Sequence, residues 1–183
     1  MNAFSHDTIT FMIPEKFLKP YNPKDTEPVI YKTWEESGYF NPDNLPSESK
    51  EAFTIIMPPP NANGSLHAGH AVFVTIEDLI IRFERMRGKR ALWLPGADHA
   101  GFETQVVYEK KLEKEGRTRF GMDPKQLRDE IMEFTLANKS FMEGQLRQLG
   151  ASCDWGREKF TLDPDIIDTV YDTFETLHKD GLV

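Results

Sequence analysis

His67-Ala68-Gly69-His70 places two imidazoles three residues apart, with a glycine between them. At the start of a helix this spacing sets both rings on one face of the first turn. Gly69 has no side chain, so a flat group can approach the backbone closely. The segment Pro58-Pro59-Pro60-Asn61-Ala62-Asn63-Gly64-Ser65-Leu66 leads into this pair from a short apolar run. A strand giving way to a helix is where an α/β fold presents backbone N–H groups to an anion. Such a surface suits a nucleotide, with imidazole N–H groups donating to phosphate oxygens as charge builds at a transferring phosphorus. A metal site is the alternative, but no third ligand at telling spacing accompanies the pair. Two plain surface histidines are the ordinary case for such a pair seen alone. The glycine spacing fits neither the dinucleotide fingerprint nor a P-loop.

A second candidate is Pro95-Gly96-Ala97-Asp98-His99-Ala100-Gly101. A carboxylate at the end of a neighbouring parallel strand would face the same crevice. Asp98 could there receive a cationic group such as an ammonium through a charge-assisted bond. The plainer reading makes Asp98 a cap for the helix starting near Phe102. The residues alone leave both open. Nucleophilic catalysis has less support. No nucleophile elbow surrounds Ser65, and Cys153, between Ser152 and Asp154, lacks a pairing histidine and reads as a small semi-buried residue.

These residues need elements to hold them. Ala52–Met57 has the composition and length of a buried strand, and it stops at Pro58, which cannot donate a ladder hydrogen bond. A long helix spans about His67–Arg87, with Val72, Ile76, Leu79, Ile80 and Phe83 as its buried face and Gly88 as its C-cap. Ala91–Leu94 is a second apolar run, halted by Pro95-Gly96, and another helix covers about Phe102–Lys114. Strand, turn, long helix and strand make a βαβ unit. The fold class is therefore α/β with a parallel sheet, its sites at the carboxyl ends of the strands. Thr26–Ser37, carrying Val29, Ile30, Tyr31 and Trp34, reads as a capped helix ended by Gly38, and Asn41–Glu51 as a loop. Asp123-Pro124 opens a helix to about Leu149, Asp as N-cap and Pro at the first helical position. Asp163-Pro164 repeats the device for a helix ending near Gly181. Phe134, Phe141, Trp155 and Phe160 are expected to pack these helices together. Residues 1–24 read as an N-terminal arm and residues 25–183 as one domain.

A chain of 183 residues holds one sizeable core. One cysteine excludes an internal disulfide framework and suits the cytoplasm. No apolar run approaches the roughly 20 residues of a membrane span, so no membrane partner is expected. The net charge of -8 disfavours a nucleic-acid backbone as partner. Arg82, Arg85, Arg87, Lys89 and Arg90 form the one dense basic cluster, and at a helix end they complement the helix dipole.

The two loops together resemble a known family. His67-Ala68-Gly69-His70 resembles the HIGH motif of class I aminoacyl-tRNA synthetases. With Pro58-Pro59-Pro60-Asn61 before it and Gly96-Ala97-Asp98-His99-Ala100-Gly101 after it, the chain resembles the valyl members. Leu92-Trp93-Leu94, Thr104-Gln105, Arg147-Gln148-Leu149-Gly150 and Asp154-Trp155 continue the match, which runs from about Ile13 onward. The resemblance implies the first half of a Rossmann-like, parallel-sheet catalytic domain, with additional helices toward the C-terminus. It implies activation of valine by ATP, Mg²⁺ arriving with the ATP, and attachment of valine to tRNA(Val). By that resemblance His67 and His70 act on the ATP phosphates as catalytic groups and Gly69 lies under the adenosine. Asp98 holds the α-ammonium of valine, Pro58 and Asn61 wall the amino-acid pocket, and the protein itself binds no metal.

Departures from the family pattern are specific. Ala68 stands where the motif has a larger apolar residue. Ala62-Asn63 stands where valyl enzymes have Val-Thr, and in this it resembles the isoleucyl relatives. Isoleucyl enzymes, however, flank the aspartate with Trp and Cys, and this chain has Ala97 and His99. No Lys-Met-Ser-Lys-Ser loop, editing domain or set of anticodon-binding helices is found, and the chain ends about where the editing insertion would begin. Editing matters because a hydrophobic pocket cannot strongly reject threonine. The chain alone is therefore expected to activate valine weakly or not at all, to bind no tRNA(Val), and to expose apolar surface. Rival readings are an isoleucyl-type fragment, an HxGH nucleotidyltransferase acting on a small phosphorylated metabolite, and a non-catalytic binding module. The Pro-rich wall and the Asp98 loop argue against the nucleotidyltransferase, and the retained His67, Gly69, His70 and Asp98 against loss of chemistry.

Overall fold

The computed structural model describes residues 14–46 and 51–183. The arm expected over residues 1–24 lies largely outside them. Its described end is a 3-10 turn, Glu15–Phe17, followed by helix α1 (Pro23–Glu36). This helix starts before Thr26, because Asn22 is its N-cap and accepts from the Lys24 N–H at 3.2 Å. Pro23 takes the first helical position, where a missing N–H costs nothing. Thr26-Glu27-Pro28 thus lies inside α1, and Tyr31 is its buried residue while Val29, Ile30 and Trp34 are exposed.

β1 (Ala52–Ile56), α2 (Ala68–Met86) and β2 (Arg90–Leu94) form the expected parallel βαβ unit. Ala52 pairs with Arg90 and Ile56 with Leu94, and the Met57 N–H adds a bond to the Leu94 carbonyl at 2.9 Å. Ala91 and Trp93 join Met57, Val74, Ile81, Leu146, Ala151 and Cys153 in the core. β1 is not the buried strand its composition suggested. It alternates exposed and half-buried residues, with Ile56 70% exposed, since β2 is its sole strand partner among the described residues.

α2 packs with the side opposite to the one its hydrophobic stripe suggested. Val72, Ile76, Leu79 and Phe83 are exposed and Ile80 is partly covered, whereas Val74, Ile81 and Glu84 are buried. Hydrogen bonds fix the inner side. Trp93 Nε1 donates to Glu77 at 3.0 Å. Ser152 donates to Asp78 from its N–H at 2.9 Å and its Oγ at 2.5 Å. Arg85 donates to the Ser152 Oγ at 2.6 Å and carbonyl at 2.9 Å. Such groups cannot be left without partners in an interior at tolerable cost. The basic cluster is absorbed likewise. Arg82 bonds Asp78 and the Gly150 carbonyl, Arg87 and Lys89 pair with Glu84, and Arg90 pairs with Asp43.

Two short strands, β3 (Gly96–Ala97) and β4 (Lys159–Phe160), form a second parallel pair that the sequence pattern did not foretell. Between them run α3 (Gly101–Lys114) and α4 (Pro124–Gln148), and α5 (Pro164–Lys179) follows β4. Asp123 caps α4 as expected, accepting from Lys125 and Gln126 at 3.0 and 3.1 Å. Asp163 is the N-cap residue of α5 as expected, but its side chain makes no cap hydrogen bond. Its carboxylate accepts from the Phe160 N–H at 2.8 Å and so ties down β4. Cys153 is fully buried rather than semi-buried, and burial pushes its thiol pKa up. Trp155, Phe134 and Phe160 pack as expected, but Phe141 is 54% exposed. No helix among the described residues is long and apolar enough to cross a membrane.

Glu130 clamps α4 to α3. Its carboxylate accepts from Tyr108 Oη at 2.6 Å, from Arg117 at 2.8 and 2.9 Å and from Gln126 at 2.9 Å. These bonds, Arg117's foremost, hold the carboxyl at about 2, below its ordinary 4.5. A depressed folded-state pKa gives stability that is present above the ordinary value and lost as pH falls toward the folded one. Glu130→Gln should therefore lower the urea midpoint at pH 7, and its deficit against the parent should shrink as pH falls from about 4.5 toward 2. Paired urea titrations across that range test this, and a constant deficit would contradict it.

Candidate nucleotide and amino-acid site

His67 is the N-cap of α2. Its Nδ1 accepts the Gly69 N–H at 3.0 Å, and its own N–H donates to His70 Nδ1 at 3.1 Å. The two rings lie 3.9 Å apart between centroids, and Phe73 meets His70 edge-on at 5.9 Å. Imidazoles thus fill both roles of a capping box, a motif ordinarily made by Ser or Thr with Glu. A chemical consequence follows. With each Nδ1 acting as acceptor, a neutral ring must carry its proton on Nε2. Two Nε2–H donors are thereby left for a ligand. Burial, and then the neighbouring His67, keep the His70 pKa below the ordinary histidine value, so its neutral form extends to lower pH. Gly69 has its own steric reason: a Cβ there would stand 2.8 Å from His67 Cε1 and 3.0 Å from Nδ1.

Two loops leave the carboxyl ends of β1 and β2 side by side. The Asp98 N–H donates to the Pro60 carbonyl at 2.9 Å, and the Ala62 N–H donates to the Asp98 carbonyl at 2.7 Å. Asn61 and Asp98 are therefore bridged. Asp98 does not cap α3, whose N-cap is Ala100, in the left-handed region at φ 55° and without a capping side chain. Instead Asp98 Oδ1 accepts from the Ala100 N–H and from Thr161 Oγ1, each at 3.1 Å. Oδ2 keeps no hydrogen-bond partner among the described residues, on a side chain 35% exposed. Asn61 Nδ2 donates to Glu103 at 2.7 Å, which leaves its Oδ1 as an acceptor.

Pro58, Asn61, His67 and His70 line one open cavity of about 460 Å³, together with Ser65 and Glu103. Asp98 does not line it and adjoins it through the bridge to Asn61, and Gly69, exposed in the first turn of α2, does not line it either. Three contributors were not singled out in the sequence. Glu103 orients Asn61, Gln145 accepts the Leu66 N–H at 2.8 Å and so fixes the loop before His67, and Thr161 holds Asp98. Each lies far along the chain from the residue it serves and carries no motif. Among the described residues no group of three or more His, Cys, Asp or Glu is placed to hold a metal ion.

The family described as tRNA synthetases class I (I, L, M and V) matches residues 29–183. The chain belongs to that family. Among its relatives, this synthetase chain is 45% identical over 165 residues to the Valine--tRNA ligase of Mesorhizobium japonicum, covering 90% of this chain and 18% of that protein. It is 45% identical over 171 residues to that of Dehalococcoides mccartyi, covering 93% and 19%. It is 46% identical over 158 residues to the chloroplastic/mitochondrial Valine--tRNA ligase 2 of Arabidopsis thaliana, covering 86% and 16%. The synthetase chain thus spans less than a fifth of the length of these curated relatives. Its fold is similar to LeuRS of Agrobacterium radiobacter K84, solved as a ternary complex with tRNA and LeuAMS. That match has a TM-score of 0.69 and 22% identity, over 89% of this chain and 19% of that one.

Gly69→Ala tests the histidine cap of α2. The added Cβ should expel the His67 ring, break its bond to residue 69, and lower stability by about 1 kcal/mol. Thermal unfolding together with imidazole nitrogen NMR shifts reads both effects. An unchanged Nε2–H signature for His67 in the variant would contradict the steric account.

Proposed function

We propose that this synthetase chain carries the N-terminal half of a valine-activating site that serves tRNA(Val) in the cytoplasm. In the reaction a carboxylate oxygen of valine bonds to the α-phosphorus of ATP. The bond from that phosphorus to the bridging oxygen breaks and pyrophosphate leaves; a ribose hydroxyl of tRNA(Val) then loses its proton and takes the valyl group from the adenylate, whose acyl–phosphate bond breaks to release AMP. One observation carries the reading: both Nδ1 atoms are committed inside the helix cap, so both Nε2–H groups are set as donors. Fixed donors need no reorganisation as negative charge develops on the phosphate, which is the main electrostatic source of catalysis. His67 and His70 take the phosphates in this scheme, and Gly69 lies under the adenosine. Asp98 receives the α-ammonium through Oδ2, and Pro58 with Asn61 walls the amino-acid pocket. Mg²⁺ enters with ATP and offsets phosphate charge. No covalent intermediate on the protein is needed, since alignment of the two substrates supplies the rest.

Valine is favoured over isoleucine by Ala97 and His99 on either side of Asp98 and by the similarity to Valine--tRNA ligases. ATP–pyrophosphate exchange by the complete gene product tests the scheme. His67→Ala and His70→Ala should each lower the valine-dependent rate by roughly 10²-fold or more, with little change in valine KM. Faster exchange with isoleucine than with valine would reassign the substrate, and no exchange with either would sink the proposal.

A further inference from the structure

We infer that Thr161 is a positioning residue for amino-acid binding: its hydroxyl locks the Asp98 carboxylate so that Oδ2 meets the substrate ammonium. The inference rests on the role proposed above for Asp98. The loop after β3 needs such a lock. Ala100 and Gly101 follow one another at φ 55° and 41°, a left-handed pair that a non-glycine residue adopts only when its surroundings hold it. Thr161 supplies the hold from the end of β4. Its N–H donates to the Ala97 carbonyl at 3.1 Å. Its Oγ1 accepts the His99 N–H at 2.9 Å, stands 2.6 Å from His99 Nδ1, and lies 3.1 Å from Asp98 Oδ1.

Proton counting fixes the directions. A threonine hydroxyl has one proton and two lone pairs, and an ionised carboxylate only accepts. The Thr161 hydroxyl donates to Asp98, and with its proton committed there the two lone pairs are left for the His99 N–H and for His99 Nδ1 in the tautomer that carries its proton on that nitrogen. Every bonding position of the hydroxyl is then filled, so it cannot rotate away. Asp98 Oδ1 is likewise filled, by the Ala100 N–H and by Thr161. Oδ2 is the oxygen that an incoming cation meets. Thr161, like Asp98, does not line the cavity bounded by His67 and His70, and its hydroxyl meets Asp98 and His99, so its effect on a bound substrate runs through the carboxylate it holds.

Thr161→Val keeps the branched shape and removes the hydroxyl, whereas Thr161→Ser keeps the hydroxyl. In ATP–pyrophosphate exchange by the complete gene product, Thr161→Val should raise valine KM by about tenfold or more and leave ATP KM within about twofold, as expected for a lost charge-assisted bond. Thr161→Ser should restore valine KM to within about threefold of the parent. Equal rises in both KM values without rescue by serine would make Thr161 merely structural and overturn the inference. Asp98→Ala separates the two levels. If it raises valine KM and Thr161→Val does not, the Thr161 inference alone fails; if it leaves valine KM unchanged, the Asp98 reading fails and takes the inference with it. A measurement on the parent protein covers the case in which the valine variant does not fold. At pH 8 the neutral His99 ring should show its proton on Nδ1 by nitrogen NMR shifts, and a proton on Nε2 would overturn the assignment.

Discussion

Ile56 and Leu94 pair at the same level of the sheet, and prolines stand just beyond both, at Pro58 and Pro95. Neither proline can donate a ladder bond, so the two strands stop together. Met57 adds a last bond to Leu94, and the chain then departs into two loops that start side by side. Where the sheet stops, the Asn61–Asp98 bridge continues its pairing for one more step. A slip of one residue would turn Asp98 to the other face and remove the bridge. The buried Trp93, bonded to Glu77 of α2, holds the register from the core side.

The second dependence is between folding and chemistry at the start of α2. The first N–H groups of any helix lack partners inside it. Here imidazole nitrogens meet that need, and doing so settles which nitrogen of each ring bears the proton. One set of bonds therefore closes the helix and sets both Nε2–H groups outward as donors. The positive end of the helix dipole lies at the same place and favours an anion there.

The βαβ unit was legible because its strands are short apolar runs cut by prolines, and the two candidate loops sit at those cuts. The face of α2 was not. Glu77, Asp78, Glu84 and Arg85 look like a solvated side by composition, yet each finds a partner on the inner side. The outward stripe of Val72, Ile76, Leu79 and Phe83 is the more apolar of the two and misleads a count based on hydrophobicity alone. Asp123-Pro124 and Asp163-Pro164 are the same dipeptide at the N-cap of a helix, but only in the first does the side chain accept cap hydrogen bonds. The carboxylate of the second accepts the Phe160 N–H instead. β4 is two residues long, too short for any periodicity, so Thr161 carried no signal until the fold brought it to Asp98.

The distance along the chain between Asp98 and Thr161 is 63 residues. A ribosome adding about 5–20 residues per second makes that stretch in roughly 3–13 s. The histidine cap and the paired strands can form from segments already released. The left-handed turn at Ala100 waits, without its hydroxyl partner, until the later strand has emerged. The loop that carries Asp98 is therefore locked only after the residues that pair β1 with β2 have left the ribosome.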